Sequence, residues 1–399
     1  MKQSGNPDVC ILSEIGLLKR VIVRRPGEEI SKVTPSNAEE LLFDDIVDPP
    51  LIKEEHDIFV RALTRLGVEV IYLDNLSLEV LEADSRNVFL KNVINVGTGF
   101  INSLGNKCDA KSFLDYLIIG DSIHPELGPL NPAPNSIFTR DIGCIVGNKF
   151  LPAIPFKAAR FREMSIAQET LSLHPDFDLE VISSQEGFSI EGGDIQVLSK
   201  DVIVFGVSER TSKEAVKSIV EELHEEGFNL VLTVDIGKAR SCMHLDTVFT
   251  MINNDECLVY EPLILGNDEA GMKKAKVVVY QKGLMPIICE DSLLDVLNSL
   301  GIKLKPIACG GRKDLISQER EQWTDGANAL AFQPGGIFVY ERNRKTIEEL
   351  IKHGYQTIRA EDVKEPLVKD QKWVVILQGK ELSRGRGGSH CLSFPLLRV

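Results

Sequence analysis

Apolar and polar residues follow a pattern that repeats five times along the chain. In each repeat a run rich in Val and Ile leads through a polar loop to a segment with apolar residues three and four positions apart, and then to another apolar run. This spacing is typical of a helix between strands. In KEAVKSIVEELHEEG the apolar positions are Val216, Ile219, Val220 and Leu223. We predict five units of about 40–60 residues.

Glycines and paired strand runs refine this prediction. Four of the predicted helices end at glycine, the residue that most often terminates a helix: Gly67, Gly227, Gly301 and Gly354. Most helices are preceded by two apolar runs, as in IQVLSKDVIVFGVSERTS. A single α/β sheet of independent βαβ elements remains the alternative, but it does not explain the paired runs. We therefore favour an α/β fold of repeated blades.

Residues 75–130 interrupt the repeat. The stretches LSLEVLEADSRNVFLKNVINVG and AKSFLDYLIIGDSI have helical spacing and no strand between them. The Pro-rich LGPLNPAPN that follows is typical of an extended loop. We predict an inserted helical domain at residues 75–130 and a catalytic repeat domain formed by residues 1–74 and 131–399.

Composition and charge narrow the classes of partner. The 399 residues carry a formal net charge of -14, which argues against a nucleic-acid or anionic-membrane partner. No apolar run reaches the length of a membrane helix, and the first twenty residues do not resemble a secretory signal. The eight cysteines lack CxxC spacing and are typical of reduced thiols. We expect a cytoplasmic protein.

Short motifs precede the first strand of successive repeats. They are NSIFTRD (135–141), EGGD (191–194), MHLDTVFT (243–250), DGAN (325–328) and GRGGSHC (385–391). Singly, each has an ordinary structural explanation, since EGGD is a turn signal and most loop arginines are solvated. If the repeats close into a ring, however, equivalent positions face one centre. The residues collected there would be Asp141, Glu191, Asp194, His244, Asp246 and Cys391.

Such a set can carry out chemistry on a planar cation. Asp141 and Asp246 can hold a guanidinium group through paired hydrogen bonds, which leaves its central carbon open to attack by the Cys391 thiolate. His244 can transfer the protons. The carboxylates should raise the thiol pKa, so the thiolate should form only beside a cationic substrate or a protonated histidine. An amino-acid carboxylate would need a cation such as Arg160, Arg210 or Arg386.

In this order the motifs resemble the arginine deiminase family over nearly the whole chain. The resemblance begins at SEIGLLKRVIVRRPGEE and EEHDIFVRALTRLGVEVIYL and ends at REQWTDGAN and GRGGSHCLSFPL. It implies a five-bladed ββαβ propeller, the pentein fold, with an inserted helical domain. It also implies hydrolysis of L-arginine to L-citrulline and ammonia without metal or cofactor. We further expect a homo-oligomer that binds the small molecule L-arginine and has no nucleic-acid or membrane partner.

The resemblance also implies roles for individual residues. Cys391 resembles the nucleophile, His244 the general acid and base, and Asp141, Asp246 and Glu191 the carboxylates at the guanidinium. Asp194 is expected to have a structural role within the EGGD motif. The residues implied to contact the rest of the substrate are Asn135, Arg160 and Arg210 at the α-carboxylate, Phe138 as a pocket wall and Arg386 as part of a mobile gate. Ile142 stands where the family commonly has proline.

Related guanidine chemistry remains open on the sequence. Agmatine deiminase, dimethylarginine hydrolase and amidinotransferase all suit this ring of residues, although Arg160 and Arg210 favour a substrate with a free carboxylate. A catalytically silent arginine sensor or a propeller-fold interaction protein is the alternative from another class. The sequence assigns no role to His390, the neighbour of Cys391.

Overall fold

The computed structural model of the protein describes residues 9–83, 85–94, 108–123, 127–267 and 273–399. Residues 84, 95–107 and 124–126 belong to the predicted helical insertion and lie outside the described residues. The same holds for residues 268–272 and for residues 1–8, the start of the segment that did not resemble a secretory signal. In the described part of the chain, no helix is both long and apolar enough to cross a membrane.

The fold is α/β and consists of short strands and helices. The strands are β1 (Leu18–Val23), β2 (Glu69–Tyr72), β3 (Gly143–Val146), β4 (Lys149–Pro152), β5 (Ile195–Ser199), β6 (Val202–Val207), β7 (Leu230–Asp235), β8 (Phe249–Asn253), β9 (Glu256–Val259), β10 (Lys276–Gln281), β11 (Ile287–Cys289), β12 (Lys305–Ala308), β13 (Ala331–Gln333), β14 (Gly336–Tyr340), β15 (Gln356–Arg359), β16 (Trp373–Leu377) and β17 (Phe394–Arg398). The helices are α1 (Pro49–Arg65), α2 (Leu73–Glu82), α3 (Arg86–Ile94), α4 (Ala110–Ile119), α5 (Phe161–Leu173), α6 (Lys213–Glu225), α7 (Glu261–Ile264), α8 (Leu293–Ser299), α9 (Leu315–Trp323) and α10 (Arg344–Lys352).

Within the described residues the strands form five sheets. The antiparallel pair β5–β6 is followed by α6 and by β7, which runs parallel to β6. The pair β8–β9 is followed in the same way by α8 and by β12, which runs parallel to β9. The pair β13–β14 leads through α10 to β15 and β16, and β16 lies between β14 and β15. These sheets have the paired strands that the sequence pattern predicted.

The remaining two sheets have two and three strands. The pair β3–β4 is followed by α5, and a single parallel bridge joins Phe150 to Val181. In the first sheet β1 is parallel to β2 and antiparallel to β17. The antiparallel partner of β1 therefore comes from the opposite end of the chain, and this pairing brings the two ends together.

Local sequence explains where the helices begin and end. Asp48 caps α1 by accepting a hydrogen bond from the Leu51 amide at 3.1 Å, and Ser212 caps α6 in the same way from Ala215 at 3.2 Å. All four glycines predicted to end helices have positive φ, between 86° and 105°. The apolar face predicted for α6 is fully or nearly fully buried. These predictions are confirmed.

Two features differ from the prediction. The hairpin β10–β11 was not predicted; it lies in the connection from β9 to α8, yet it pairs with β7 of the preceding sheet along six residues. The helix α2 begins at Leu73, two residues before the predicted start of the helical insertion at residue 75. Leu73 packs in one core cluster with residues of β3, β4, β5, β6 and β7. The domain boundaries of residues 75–130 stay a prediction.

Three of the motifs lie in short 3-10 helices that directly precede the first strand of a sheet. They comprise Thr139–Ile142 before β3, Gly192–Asp194 before β5 and Leu245–Thr247 before β8. Gly192 lies so close to the carbonyl oxygens of Arg140 and Gly143 that a β-carbon would overlap both. The second turn is thus packed directly against the first, which fixes the distance between Asp141 and Glu191.

We expect Gly192→Ala to lower the free energy of unfolding by about 1–3 kcal/mol or more, because backbone atoms would have to move to admit the methyl group. Gly128→Ala is the matched control, since no atom lies within 4 Å of its β-carbon position. Chemical denaturation of both variants tests this. Equal stability of the two variants would show that the turns are not tightly packed.

Candidate active site

The five motifs meet at one buried cluster. The cavity between them is lined by Leu42, Asn135, Phe138, Asp141, Arg160, Arg210, Arg240, Met243, His244, Thr247, Gly385, Arg386 and Cys391. Eight of the ten predicted site residues are in this lining, and Glu191 and Asp246 contact it from behind. The cavity volume is about 20 Å³, which is space for about one water molecule. Side chains must therefore move before a ligand the size of an amino acid enters.

Cys391 lies in the loop before β17 and is 4% exposed. Its Sγ lies 3.7 Å from Asp246 Oδ2 and 3.1 Å from Asn328 Nδ2. Burial, followed by the negative charges of Asp246 and Asp141, raises the thiol pKa well above its ordinary value. In this arrangement the sulfur is protonated at neutral pH, as the carboxylate-rich motifs indicated.

His244 lies between two carboxylates. Its Nε2 is 2.9 Å from Glu191 Oε2, and its Nδ1 is 3.6 Å from Asp141 Oδ1. Burial alone would lower the imidazole pKa, but the charge of Asp141 and the hydrogen bond to Glu191 outweigh it and raise the pKa to about 9. The same hydrogen bond holds the pKa of Glu191 below its usual range despite burial. At neutral pH His244 is therefore a buried imidazolium that can donate a proton.

Arg160 is bound to the carboxylates in this arrangement. Its Nη1 lies 2.5 Å from Asp141 Oδ2 and 3.6 Å from Glu191 Oε2, and its Nε lies 2.5 Å from Glu163 Oε1. The sequence predicted that Arg160 would contact a substrate carboxylate. In the structure its guanidinium is instead paired with Asp141, one of the carboxylates predicted to hold a substrate guanidinium. Glu163, at the start of α5, was not predicted.

Several buried polar atoms at the cavity have no hydrogen-bond partner among the described residues. They include two acceptors, Asp141 Oδ1 and Asp246 Oδ1, and two donors, Arg210 Nε and Nη1. A buried polar group without a partner costs roughly 1–3 kcal/mol, and more if it is charged. Of these atoms, Asp141 Oδ1 lies 3.6 Å from His244 Nδ1 and Arg210 Nη1 lies 3.7 Å from Glu191 Oε1, so both are near a charge without being hydrogen-bonded. The carboxylate oxygens can accept further hydrogen bonds, and Arg210 can donate them.

Three further residues predicted to contact a ligand line the cavity: Asn135, Phe138 and Arg386. Asn135 Nδ2 donates to the Leu41 carbonyl at 2.7 Å. Phe138 packs so closely on Gly387 that a β-carbon there would overlap its ring. The Arg386 guanidinium carbon lies 3.6 Å from the centre of the Trp323 ring, and its backbone has φ of 66°. The gate role expected for Arg386 stays a prediction.

One set of side chains in the described part of the chain has the geometry of a metal site. It comprises Asp141, Glu191 and His244, whose donor atoms lie within 4.8 Å of one another. The guanidinium of Arg160 already lies against both carboxylates, and the raised pKa of His244 opposes the neutral imidazole that a metal needs. The donor set is thus arranged for organic cations and protons.

A buried network behind the site was missed by the sequence analysis. His390 Nδ1 lies 2.8 Å from Asp246 Oδ2, and its Nε2 lies 3.2 Å from Glu14 Oε2. Glu14 also pairs with Arg140 at 3.0 Å. His390 thereby fixes the carboxylate that contacts the thiol. Its position beside Cys391 was a signal, but nothing in the sequence brings Glu14, near the opposite end, to the same place.

The chain is similar to known proteins over nearly its full length. A model of the arginine deiminase family matches residues 39–97 and 121–398. Arginine deiminases from Listeria monocytogenes and Treponema denticola are each 34% identical to the chain; the first alignment covers 97% of both chains and the second 98% of both.

Solved structures show the same fold at low identity. DDAH from Pseudomonas aeruginosa, complexed with citrulline, has a TM-score of 0.54 at 15% identity, over 95% of this chain and 99% of that chain. An amidinotransferase from Microseira wollei has a TM-score of 0.54 at 14% identity, over 98% of this chain and 97% of that chain.

The raised pKa of His244 predicts a pH-dependent contribution to stability. The folded protein holds the imidazole proton up to pH about 9, whereas the unfolded chain loses it near 6.5. The resulting stability is complete below 6.5 and is lost as pH rises to 9. The parent should therefore have a larger free energy of unfolding than His244→Gln at pH 6.5, and this difference should become smaller as the pH rises to 9.

His56→Gln is the matched control. His56 is also buried, but its pKa is lowered to about 3 by burial. Its effect on stability should therefore change only below pH 6.5. Denaturation curves at several pH values measure both differences, and a constant difference for His244→Gln between pH 6.5 and 9 would contradict the assigned charge state.

Proposed function

The chain belongs to the arginine deiminase family, and we propose that it hydrolyses L-arginine to L-citrulline and ammonia through a covalent intermediate on Cys391. The observation that carries this proposal is the distribution of unpartnered polar atoms around the thiol. The unpartnered oxygens of Asp141 and Asp246 can accept hydrogen bonds from a cationic group, and the Arg210 nitrogens can donate them to an anionic group. L-Arginine carries both charges on one flexible chain.

Substrate binding begins with an exchange of cations. As the substrate guanidinium approaches Asp141, it replaces the guanidinium of Arg160, so the buried carboxylate stays compensated throughout. Arg160 is then free to join Arg210 and Asn135 at the substrate α-carboxylate. Phe138 forms a wall along the substrate, and Arg386 moves away from Trp323 to open the cavity.

The bound cation then creates the nucleophile. Its positive charge beside Cys391 offsets the charges of Asp246 and Asp141, so the thiol releases its proton to solvent water, from which the thiolate recovers a proton after the product has left. The thiolate forms a bond to the guanidinium carbon and gives a neutral tetrahedral adduct. Protonated His244 donates its proton to one amino group of this adduct. The C–N bond breaks, ammonia leaves, and a cationic S-alkylthiouronium remains on Cys391.

Hydrolysis uses the same histidine as a base. Neutral His244 removes a proton from water while the hydroxyl oxygen bonds to the thiouronium carbon. The adduct expels the Cys391 thiolate as the C–S bond breaks, and its hydroxyl proton converts the released ammonia to ammonium. Citrulline leaves. Glu191 holds His244 in position through both steps by the 2.9 Å hydrogen bond.

We also propose that the five sheets are the blades of a five-bladed ββαβ propeller, the pentein fold. Supporting this proposal, the turns carrying the motifs precede sheets, and β17 joins the last part of the chain to β1. In the same proposal residues 1–74 and 131–399 form the catalytic domain, and residues 75–130 form the inserted helical domain.

Incubation with L-arginine should yield citrulline and ammonia in equal amounts. Cys391→Ser should abolish turnover, because the hydroxyl is a far weaker nucleophile at neutral pH. Acid quench with labelled arginine should leave the label on the Cys391 peptide, as mass spectrometry would show. Cys289→Ser, at a partly exposed cysteine of β11, is the control and should keep full activity. Ornithine in place of citrulline, or label on no cysteine, would refute the proposal.

The role of Arg210 predicts a loss that depends on the substrate carboxylate. Arg210→Met should lower kcat/KM for arginine by roughly 10- to 100-fold, since a charged hydrogen bond contributes about 1.5–3 kcal/mol. The kcat/KM for agmatine, which lacks the carboxylate, is expected to be low in the parent and to change little in the variant. Lys149→Met is the control, because Lys149 pairs with Glu180 and Glu226 away from the cavity. An equal loss for both substrates would remove Arg210 from this role.

A further inference from the structure

Asn328 ends the DGAN motif, to which the sequence analysis gave no chemical role. It is buried, and it lies between α9 and β13. Its Nδ2 donates a hydrogen bond to Cys391 Sγ at 3.1 Å. Its Oδ1 accepts a hydrogen bond from the Cys391 backbone amide at 3.2 Å. The amide of one residue thus binds the nucleophile at two atoms.

The orientation of the Asn328 amide is fixed by this geometry. The Cys391 N–H needs an acceptor, so the oxygen must face the backbone and the NH2 group must face the sulfur. The loop that carries Cys391 is also held in place. Gly388 lies so close to Asn328 that a β-carbon there would overlap it. Ser389 Oγ accepts a hydrogen bond from the Leu330 amide and donates one to the Phe338 carbonyl, both at 2.9 Å. The NH2 group has little freedom to turn away from the sulfur.

The two groups at the sulfur favour opposite charge states. Asp246 accepts a hydrogen bond from the thiol at 3.7 Å and opposes ionisation, while Asn328 donates to the sulfur and favours the thiolate. Among the described side chains hydrogen-bonded to Sγ, Asn328 is the donor. A neutral amide supplies this bond without adding charge to the carboxylate cluster.

We propose that Asn328 is a catalytic residue whose amide N–H stabilises the Cys391 thiolate. It does so when the sulfur begins to bond to the guanidinium carbon, and again when the C–S bond breaks and the electron pair returns to sulfur. Its oxygen meanwhile holds the backbone of the nucleophile in place. This inference rests on the proposed function for its kinetic consequence, but the thiolate itself can be examined without substrate.

The test uses the full-length protein and two substitutions. Asn328→Asp keeps an oxygen for the Cys391 amide but removes the donor to sulfur and adds charge, while Asn328→Ala removes the donor without adding charge. Asn343→Asp is the matched control, because Asn343 is equally buried but bonds Thr324 through both amide atoms. The probe is iodoacetamide at neutral pH, and mass spectrometry measures the alkylation rate of the Cys391 peptide.

We expect both Asn328 variants to be alkylated at Cys391 at least about 10-fold more slowly, because the rate follows the thiolate fraction and one pKa unit is a factor of ten. Their kcat for arginine should fall roughly 100-fold or more, with little change in KM. Thermal unfolding confirms that each variant is folded. Asn343→Asp should retain the parent alkylation rate.

Two results would overturn the inference. One is a parent-like alkylation rate in both Asn328 variants. The other is slow alkylation in Asn328→Asp alone, which would assign the effect to the added charge. Failure of the proposed function is distinguishable, because a parent protein that does not convert arginine would still give an alkylation rate against which the Asn328 variants are compared.

Discussion

Charge compensation among buried carboxylates is the constraint on which this structure depends. Glu14, Asp141, Glu191, Asp194 and Asp246 are all at most 4% exposed. Several ionised carboxylates cannot be buried together without cations, because each would lose its hydration with no compensating partner. Three equally buried arginines supply positive charge: Arg140 pairs with Glu14, Arg160 with Asp141, and Arg210 lies 3.7 Å from Glu191. The imidazolium of His244, between Asp141 and Glu191, is a fourth buried cation.

Two of these carboxylates, Asp194 and Asp246, have no arginine partner in the described part of the chain. Asp194 accepts hydrogen bonds from Ser208 and the Leu245 amide, so the position beside Asp246 is the one that suits an external cation. Asp246 contacts the thiol and His390, but no arginine lies within ion-pair distance of it among the described residues. In the proposed mechanism, a guanidinium that enters beside Cys391 supplies the missing positive charge and stabilises the thiolate at the same time. Recognition and activation are then one electrostatic event, and the empty site keeps its sulfur in the less reactive thiol form.

The sequence predicted the parts of this arrangement that depend on periodicity and motif order. Helical spacing located α6 and its glycine stop, and the order of the motifs brought Asp141, Glu191, His244 and Cys391 to one cavity. It could not predict contacts that depend on side-chain conformation. Arg160 was expected at a carboxylate of the substrate, and its contact with Asp141 is a choice of rotamer that no spacing encodes.

Other features were missed because they join segments far apart in the chain. The hairpin β10–β11 pairs with a sheet other than the one it interrupts, so local pattern gave no register for it. The bond between His390 and Glu14 spans 376 residues, and both are ordinary polar residues when seen alone. Asn328 was visible as part of a motif, but only the close approach of Gly388 shows why its amide faces the sulfur.

Because these contacts join distant parts of the chain, the candidate site is complete only when the whole chain has folded. Cys391 precedes β17, which reaches its place only when it pairs with β1 at the other end of the chain. Glu14, Asp246 and Asn328 then come from three separate regions to the His390–Cys391 loop. Contacts of such sequence separation form late, because loop closure must precede them. A partly folded chain therefore lacks the groups that position the thiol and control its ionisation, and the nucleophile is assembled together with the carboxylates that keep it protonated until a cation binds.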